Sequence, residues 1–332
     1  MTRAKIAGIG KYLPPRVVTN KELESLMDTS DEWIQERSGI KERRFAGDDA
    51  GSTTMGVEAA KEALANAGWQ PEDVQFIIFA TLSPDLYFPG NGVLLQRELG
   101  LPGVGALDVR NQCTGFVYGL SVADAYVRMG LYERILLVGA ECHSPGLRMD
   151  TLGRETAVLF GDGGGAVCIE ATDESDDSQI IWHHLYADGR YAEDLCIRKP
   201  GMGSRPWIGE AMLDDGSVNP YMNGREVFRH AVTKFPAVIK EAVEFQGYTI
   251  DDVRMVIPHQ ANLRITEAVR KRLSIPDERV YSNIERYGNT TAASIPIAFC
   301  EAIEEVMVVR GDLVCLAAFG SGFTWGASLL RF

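Results

Sequence analysis

Short, almost wholly apolar runs alternate along this chain with longer stretches of helical period. VQFIIFAT (74–81), ERILLVGAE (133–141), GAVCIEA (165–171), VRMVIPHQ (253–260), DLVCLAAFG (312–320) and GASLLRF (326–332) read as buried strands, since they lack the alternation of a sheet with one wet face. KEALANAG (61–68) and KEAVEFQG (240–247) are amphipathic helices ending on a glycine suited to a left-handed C-cap. NQCTGFVYGLSVADAYV (111–127) and YGNTTAASIPIAFCEAIEE (287–305) each pass through a glycine-marked turn into a helix. Apolar strands alternating with helices predict an α/β architecture with parallel sheets covered on both faces.

The same elements recur. Lys61-Glu62-Ala63, Gly68, Asp73 and Val74 reappear as Lys240-Glu241-Ala242, Gly247, Asp252 and Val253, a constant shift of 179 positions. Chance could match six residues in two generic helix-turn-strand units, but each copy also continues in the order turn, helix, strand, closing strand. The simplest assembly is two similar α/β halves, residues 1–175 and 176–332, with chemistry in the crevice between them, where helix N-termini and strand ends meet.

A chain of 332 residues that is 45% hydrophobic and 24% charged can bury a core larger than one ordinary domain. It has no apolar run of eighteen residues, and Gly8, Gly10 and Pro14 interrupt the opening segment before a signal-type region forms. A soluble, cytoplasmic protein with no membrane contact is expected. The formal charge of −13 argues against nucleic acid, whose phosphates call for clustered lysine and arginine. Cys113, Cys142, Cys168, Cys196, Cys300 and Cys315 lie far apart with no CxxC pair, so no disulfide or metal site is expected and most read as small buried hydrophobes.

Cys113 is the exception. Phe116, Leu120, Ala123 and Val127 mark a helical stripe beginning just after it, which places the thiol at a helix N-terminus, where partial positive charge favours thiolate; inert packing is the commoner fate of a lone cysteine, but Asn111 and Gly115 make this context polar and tightly turned. His259 ends the strand RMVIP, where open α/β sheets place ligands, and polar neighbours follow it; the other histidines, His143, His183, His184 and His230, lack such a context. Asn289 sits in a turn entering a helix, an ordinary N-cap by itself, and on the repeat it is the approximate counterpart of Cys113. Two equivalent helix entries facing one crevice would bring them together.

FGDGGGAV (160–167) lacks the context of a dinucleotide loop, since a strand rather than a helix follows, and it reads with FGSGFTWG (319–326) as a tight turn at a sheet end. The second turn could aim backbone N–H groups at a developing oxyanion. Arg264, Lys271 and Arg272 fall toward one side of the helix LRITEAVRKRL, with Arg225, Arg229 and Lys234 as possible extensions. This is a solvated face in most proteins and, in one this acidic, a candidate dock for an acidic partner.

The motifs Asp28-Thr29-Ser30-Asp31-Glu32-Trp33, NQCTGF, PHQANLRI, YGNTTAASIP and FGSGFTWG, in this order over nearly the whole chain, resemble those of the β-ketoacyl-acyl carrier protein synthase III family. The resemblance implies a duplicated thiolase-like fold with a layered αβαβα core, a homodimer, and no cofactor, coenzyme A thioester being a substrate. It implies that Cys113 takes an acyl group from acyl coenzyme A and passes it to the carbanion formed by decarboxylation of malonyl-acyl carrier protein. His259 and Asn289 would hold the enolate oxygen, and the backbone N–H groups of Cys113 and Ser321 the tetrahedral oxyanion. Trp33 and Arg154 would stack on the adenine, Arg37 would approach the phosphates, Gly224, Phe228 and Asn262 would line the pantetheine tunnel, and Phe88 would reach the acyl pocket of a second subunit. Arg264, Lys271 and Arg272 would dock the carrier protein. This sequence departs from the family's pattern at Ser321, where glycine is usual and a positive φ would be strained, at Asn111-Gln112, where small residues are usual, and at Glu155, which follows Arg154 where glycine is frequent.

Three rival readings stay open at this level. A relative of the same fold could use another acceptor, as in a secondary-metabolite ketosynthase or a small-molecule acyltransferase. A cysteine hydrolase shares the order Cys, His, Asn but carries a local signature around its cysteine that is missing here. A catalytically silent protein of this fold is the third.

Overall fold

A computed structural model describes residues 2–332. Its core strands are β1 (Arg3–Tyr12), β2 (Phe76–Ala80), β3 (Gly105–Val109), β4 (Arg134–Glu141), β5 (Gly163–Thr172), β6 (Gln179–Ala187), β7 (Met255–Pro258), β8 (Leu313–Gly320) and β9 (Thr324–Arg331). The helices that matter for the site are α1 (Asp31–Ser38), α2 (Ser52–Ala67), α3 (Gly115–Arg128), α4 (Gly224–Glu244), α5 (Leu263–Leu273) and α6 (Ser294–Glu304). One sheet runs in the order β1-β5-β4-β2-β3 and the other β7-β8-β9-β6.

Every inner strand has two buried faces, which is why the strand sequences read as solid apolar runs. In the first sheet Ile78, Ile135, Leu137, Val167 and Ile169 face a central layer, while Ile77, Phe79, Leu136, Val138 and Cys168 face α2. In the second, Met255, Ile257, Val314 and Leu316 face the same central layer, and Val256, Leu313, Cys315 and Leu329 face α4 and α5. The central layer is α3 and α6, whose Phe116, Leu120, Val127, Ile295 and Phe299 are fully or almost fully buried. Helix, sheet, helix pair, sheet and helix thus stack as five layers. Each such apolar side chain contributes about 1.5–3 kcal/mol on burial. No helix among the described residues is long and apolar enough to cross a membrane, and all six cysteines are free.

The 179-residue shift holds beyond the six matched residues. It carries β4 onto β8 end for end, the 3₁₀ turn Pro71–Asp73 onto Ile250–Asp252, and the turn Gln112–Thr114 onto Thr291–Ala293. Both connecting turns are closed by an aspartate that accepts from the backbone N–H three residues earlier, Asp73 from Gln70 and Asp252 from Thr249. The second half's counterpart of β3 is reduced to a single bridge between Val256 and Val280.

Two expectations are corrected. The sheets are mixed rather than parallel: β2 runs parallel to β3 and β4, and β7 to β8, but β5 is antiparallel to β4 and β1, and β9 to β8 and β6. The closing strand of each half returns without crossing the sheet through a full helical layer, and such a return gives an antiparallel pair. FGDGGGAV is also no simple turn, since its glycines begin β5. A Cβ at Gly164 would stand 2.6 Å from the carbonyl oxygen of Met55 in α2, and one at Gly165 would stand 2.7 Å from Pro296 in α6. Consecutive glycines let a helix approach each face of the strand.

Gly164→Val should therefore lower stability by about 1–3 kcal/mol or more through overpacking. Gly47→Ala, where a Cβ meets nothing within 4 Å, should stay within about 0.5 kcal/mol of wild type. Denaturant midpoints read both.

Candidate active site

The C-terminal ends of β2, β4, β7 and β8 and the N-terminal turns of α3 and α6 converge on a cavity of about 960 Å³. Its wall includes Cys113, His259, Asn289 and Ser321, together with Trp33, Arg37, Gly224, Arg225, Phe228, Asn262 and Arg264.

Cys113 occupies the 3₁₀ turn Gln112–Thr114, two residues before α3 begins. The turn is held by Thr114, whose hydroxyl donates to the Asn111 carbonyl at 2.9 Å and lies 2.8 Å from the hydroxyl of Thr324 on β9. Gly320, the last residue of β8, passes so close that a Cβ there would stand 2.6 Å from the Cys113 sulfur. The backbone N–H groups of Ser321 and of Cys113 itself both point at that sulfur. Ser321 is not among the positive-φ residues, so serine is unstrained there. Strain falls instead on Gln112 (φ 45°) and its counterpart Thr291 (φ 48°), in a region that non-glycine residues seldom adopt.

The expectation that the helix end leaves Cys113 as thiolate is overturned. The side chain is 7% exposed, and burial pushes its pKa up to about 12, against the two backbone N–H groups that lower it. Burial thus favours the protonated thiol over the thiolate.

His259 is presented by the end of β7, its N–H donating to the Ala317 carbonyl at 2.8 Å. Its Nδ1 lies 2.6 Å from Ser294 Oγ, while Nε2 is buried without a partner. Burial first, and the nearby His143 second, pull its pKa down to about 3, so the ring is neutral at neutral pH. Asn289 has its Oδ1 fixed by the Thr291 N–H at 2.9 Å, which leaves the Nδ2 donors for the cavity. Its backbone N–H donates to the Leu159 carbonyl at 2.8 Å. Asn289 is not the repeat counterpart of Cys113, however; Ala292 is, and Asn289 lies three residues earlier, where the turn begins.

Other expected residues fall differently. The guanidinium carbons of Arg37 and Arg154 lie 4.5 and 4.9 Å from the Trp33 ring centre, so this chain's own arginines cover the indole on which adenine was expected to stack. Arg154 is not on the cavity wall, whereas Glu155 is. Asn262 is on the wall, but its Oδ1 caps α5 by accepting from the Arg264 N–H, and its Nδ2 donates to the Arg37 carbonyl. Phe88 lies outside the cavity at 79% exposure. Among the basic residues, Arg264 and Arg225 stand at the cavity and Lys271 faces a shallower hollow beside α1. Lys271 pairs with Glu267, Arg272 donates to the Val232 carbonyl, Arg229 pairs with Glu226, and Lys234 lies over the Trp325 ring.

Sequence reasoning missed Ser294, which looks like one more residue of an apolar helix, and His143. The latter is 8% exposed, with Nε2 2.7 Å from Thr291 Oγ1 and its ring centre 4.9 Å from that of Phe160. It also missed Glu141, fully buried at the end of β4, which accepts from Thr81 Oγ1, Ser83 Oγ and the N–H groups of Leu82, Ser83 and Ala292. Burial raises its pKa.

Comparison with known proteins now becomes decisive. Residues 107–189 match the family described as 3-Oxoacyl-[acyl-carrier-protein (ACP)] synthase III, and residues 243–332 match its C-terminal part. The chain is 44% identical to the Beta-ketoacyl-[acyl-carrier-protein] synthase III of Acidiphilium cryptum over 332 residues, covering all of both chains. It belongs to the 3-oxoacyl-[acyl-carrier-protein] synthase III family. The crystal structure of the Aquifex aeolicus synthase III superposes with a TM-score of 0.90 at 44% identity, covering 99% of this chain and 100% of that one. The Pseudomonas aeruginosa enzyme gives 0.90 at 36% identity, covering 99% and 98%. Members of this family are acyltransferase-type condensing enzymes of thiolase fold.

Because the Cys113 thiol is held protonated, its alkylation by iodoacetamide should quicken about tenfold per pH unit from pH 7 to 9 without levelling off. A plateau below pH 8, read by mass at Cys113, would mean a thiolate at rest.

Proposed function

We propose that this chain carries out the decarboxylative condensation of an acyl-coenzyme A starter with malonyl-acyl carrier protein, the step that initiates fatty acid synthesis. The observation that carries the reading is the convergence of Cys113, His259 and Asn289 on one cavity, with two backbone N–H groups at the sulfur.

In the first stage the Cys113 sulfur attacks the acyl thioester, and the tetrahedral oxyanion is held by the N–H groups of Cys113 and Ser321. Coenzyme A leaves as its thiol, carrying the proton that Cys113 gives up. In the second stage the bond from the malonyl carboxylate to its α-carbon breaks, carbon dioxide departs, and the electron pair passes into an enolate. Asn289 Nδ2–H and His259 Nε2–H donate to the enolate oxygen. The donor role requires the imidazole proton on Nε2. Ser294 has one hydroxyl proton to offer either the Thr291 carbonyl at 2.9 Å or His259 Nδ1 at 2.6 Å; turned onto Nδ1, it fixes the required tautomer. The α-carbon then attacks the Cys113 thioester, the same two N–H groups hold the new oxyanion, and the Cys113 sulfur leaves.

Trp33, Arg37 and Arg154 would take the nucleotide end of coenzyme A, with one arginine moving off the indole to admit the purine. Gly224, Phe228 and Asn262 would line the pantetheine path. Arg264, Lys271 and Arg272 would meet the acidic carrier protein, with Arg225 at the mouth. We read the chain as two thiolase-like halves, 1–175 and 176–332, and as a cytoplasmic homodimer needing no cofactor. The exposure of Leu86, Tyr87 and Phe88 together supports the dimer, with Phe88 entering the acyl cavity of a second copy.

Incubation with acetyl coenzyme A should add one acetyl group at Cys113, detected by peptide mass, and malonyl carrier protein should discharge it as a 3-oxoacyl product. Cys113→Ala should abolish loading. Asn289→Ala should load normally and condense about 10²–10³-fold more slowly, and Ser294→Ala should lose about tenfold in condensation alone. Since His259 is held neutral, condensation should not fall through its protonation until pH drops toward 3. Equal condensation by Asn289→Ala and wild type would refute the assignment of that residue.

A further inference from the structure

The cavity wall on the first half's side of the thiol carries four polar side chains, three of which keep hydrogen-bonding groups without a partner among the described residues. Strands β3, β2 and β4 are adjacent and parallel, with Ala80 beside both Val109 and Gly139. Their C-terminal ends therefore open onto one edge, and the residues that follow them, Ser83, Arg110, Gln112 and His143, line the cavity around Cys113. Ser83 is committed, since its hydroxyl donates to Glu141 at 2.5 Å and accepts from the Cys142 N–H.

The other three are not. His143 is buried, with Nε2 engaged by Thr291 at 2.7 Å, and Nδ1 has no partner among the described residues. Thr291 Oγ1 makes no other hydrogen bond among the described residues, so its hydroxyl proton is free to go to Nε2, which leaves the ring proton on Nδ1 as a donor on a side chain of the cavity wall. The Gln112 amide makes no hydrogen bond within the described residues, and the backbone there has φ 45°. Arg110 lines the same cavity at an exposed position, with no ion pair among the described residues. Of the three, His143 is buried, Gln112 half-buried and Arg110 exposed; a buried polar group is nearly always paired in native proteins, so the His143 donor, with the Gln112 amide and Arg110 on the same wall, is matched by a ligand that accepts hydrogen bonds. A plain alkyl chain would leave the His143 donor unpaired.

Resting on the reading of Cys113 as the acyl carrier, we propose that its preferred starter is an oxygenated short acyl group, with a carboxylate or hydroxyl oxygen accepting from His143, Gln112 and Arg110. A carboxylate, which only accepts, matches three donors best.

The test is competition. The full chain is mixed briefly with equal amounts of succinyl-, 3-hydroxybutyryl- and butyryl-coenzyme A, three thioesters of the same chain length, and the adducts at Cys113 are weighed by mass spectrometry. At least one oxygenated adduct should exceed butyryl tenfold or more, the succinyl and hydroxybutyryl arms telling which oxygen is read. His143→Leu and Gln112→Ala should each lower that ratio at least tenfold. Arg110→Gln, at an exposed position, supplies the same reading should either of those variants fail to fold. Butyryl loaded as well as both oxygenated groups by wild type, or an unchanged ratio in the variants that fold, overturns the proposal while leaving Cys113 as acyl carrier. Absence of any adduct from any thioester overturns both.

Discussion

The approach of Gly320 to Cys113 is the constraint on which the rest of the site depends. Strand β8 ends against the Cys113 side chain, with room for hydrogen but not for a methyl group. That contact removes the sulfur from water, brings the Ser321 N–H to it, and fixes the two halves at the separation that lets His259 and Asn289 share its cavity. Larger residues at 320 would force β8 off the turn and dismantle all three arrangements together.

Desolvation and the helix end pull the thiol in opposite directions, and magnitude decides between them. A helix N-terminus stabilises an adjacent anion by about 0.3–1 kcal/mol, reaching about 2 when partly buried. The rise of the Cys113 pKa to about 12 from an ordinary 9.0 corresponds to roughly 4 kcal/mol against the thiolate. Burial wins while the cavity is unliganded. In the condensation proposed above, an arriving thioester would change the balance, since charge would spread onto a carbonyl oxygen facing the two N–H groups and the sulfur would never have to exist as a free anion. The same burial keeps His259 neutral, which suits a donor to an enolate rather than a base for a thiol.

Much of this was legible in the sequence, and the limits have physical causes. Solid apolar strands and a 179-residue repeat gave the two halves, because periodicity and burial are written locally. Strand direction was not legible: an apolar run looks the same paired either way, and the antiparallel return of β5 and β9 depends on where their connections cross. Cys113, His259 and Asn289 stood out because each lies at a strand end or helix entry with polar neighbours. Ser294 and His143 did not, since their importance lies in which hydrogen-bonding valences remain open once the chain is folded. The three-residue offset between Asn289 and Cys113's true counterpart was hidden for a related reason: two turns of similar composition can be aligned by eye, but only their backbone angles, matched at Gln112 and Thr291, set the register.

That register shows why the two repeated turns of the fold differ in what they can hold. Each half ends its central strand beside the other half's strained turn, at positions related by the same shift. On one side the strand ends in Gly320 and the turn carries Cys113, so space is left for the sulfur. On the other the strand ends in Glu141 and the turn carries Ala292, whose N–H donates to that carboxylate. The glutamate fills the volume a second nucleophile would need, and its remaining hydrogen bonds tie down the loop after β2. Freed from carrying a sulfur, the second turn uses its strained residue differently. Thr291 anchors the side-chain Oδ1 of Asn289 through its N–H and meets His143 through its hydroxyl, so one backbone bend orients an amide on one side and an imidazole on the other. Identical backbone geometry thus displays a thiol in the first half and hydrogen-bond donors in the second, and the difference is made by two pairs of residues: Gly320 with Cys113, and Glu141 with Ala292.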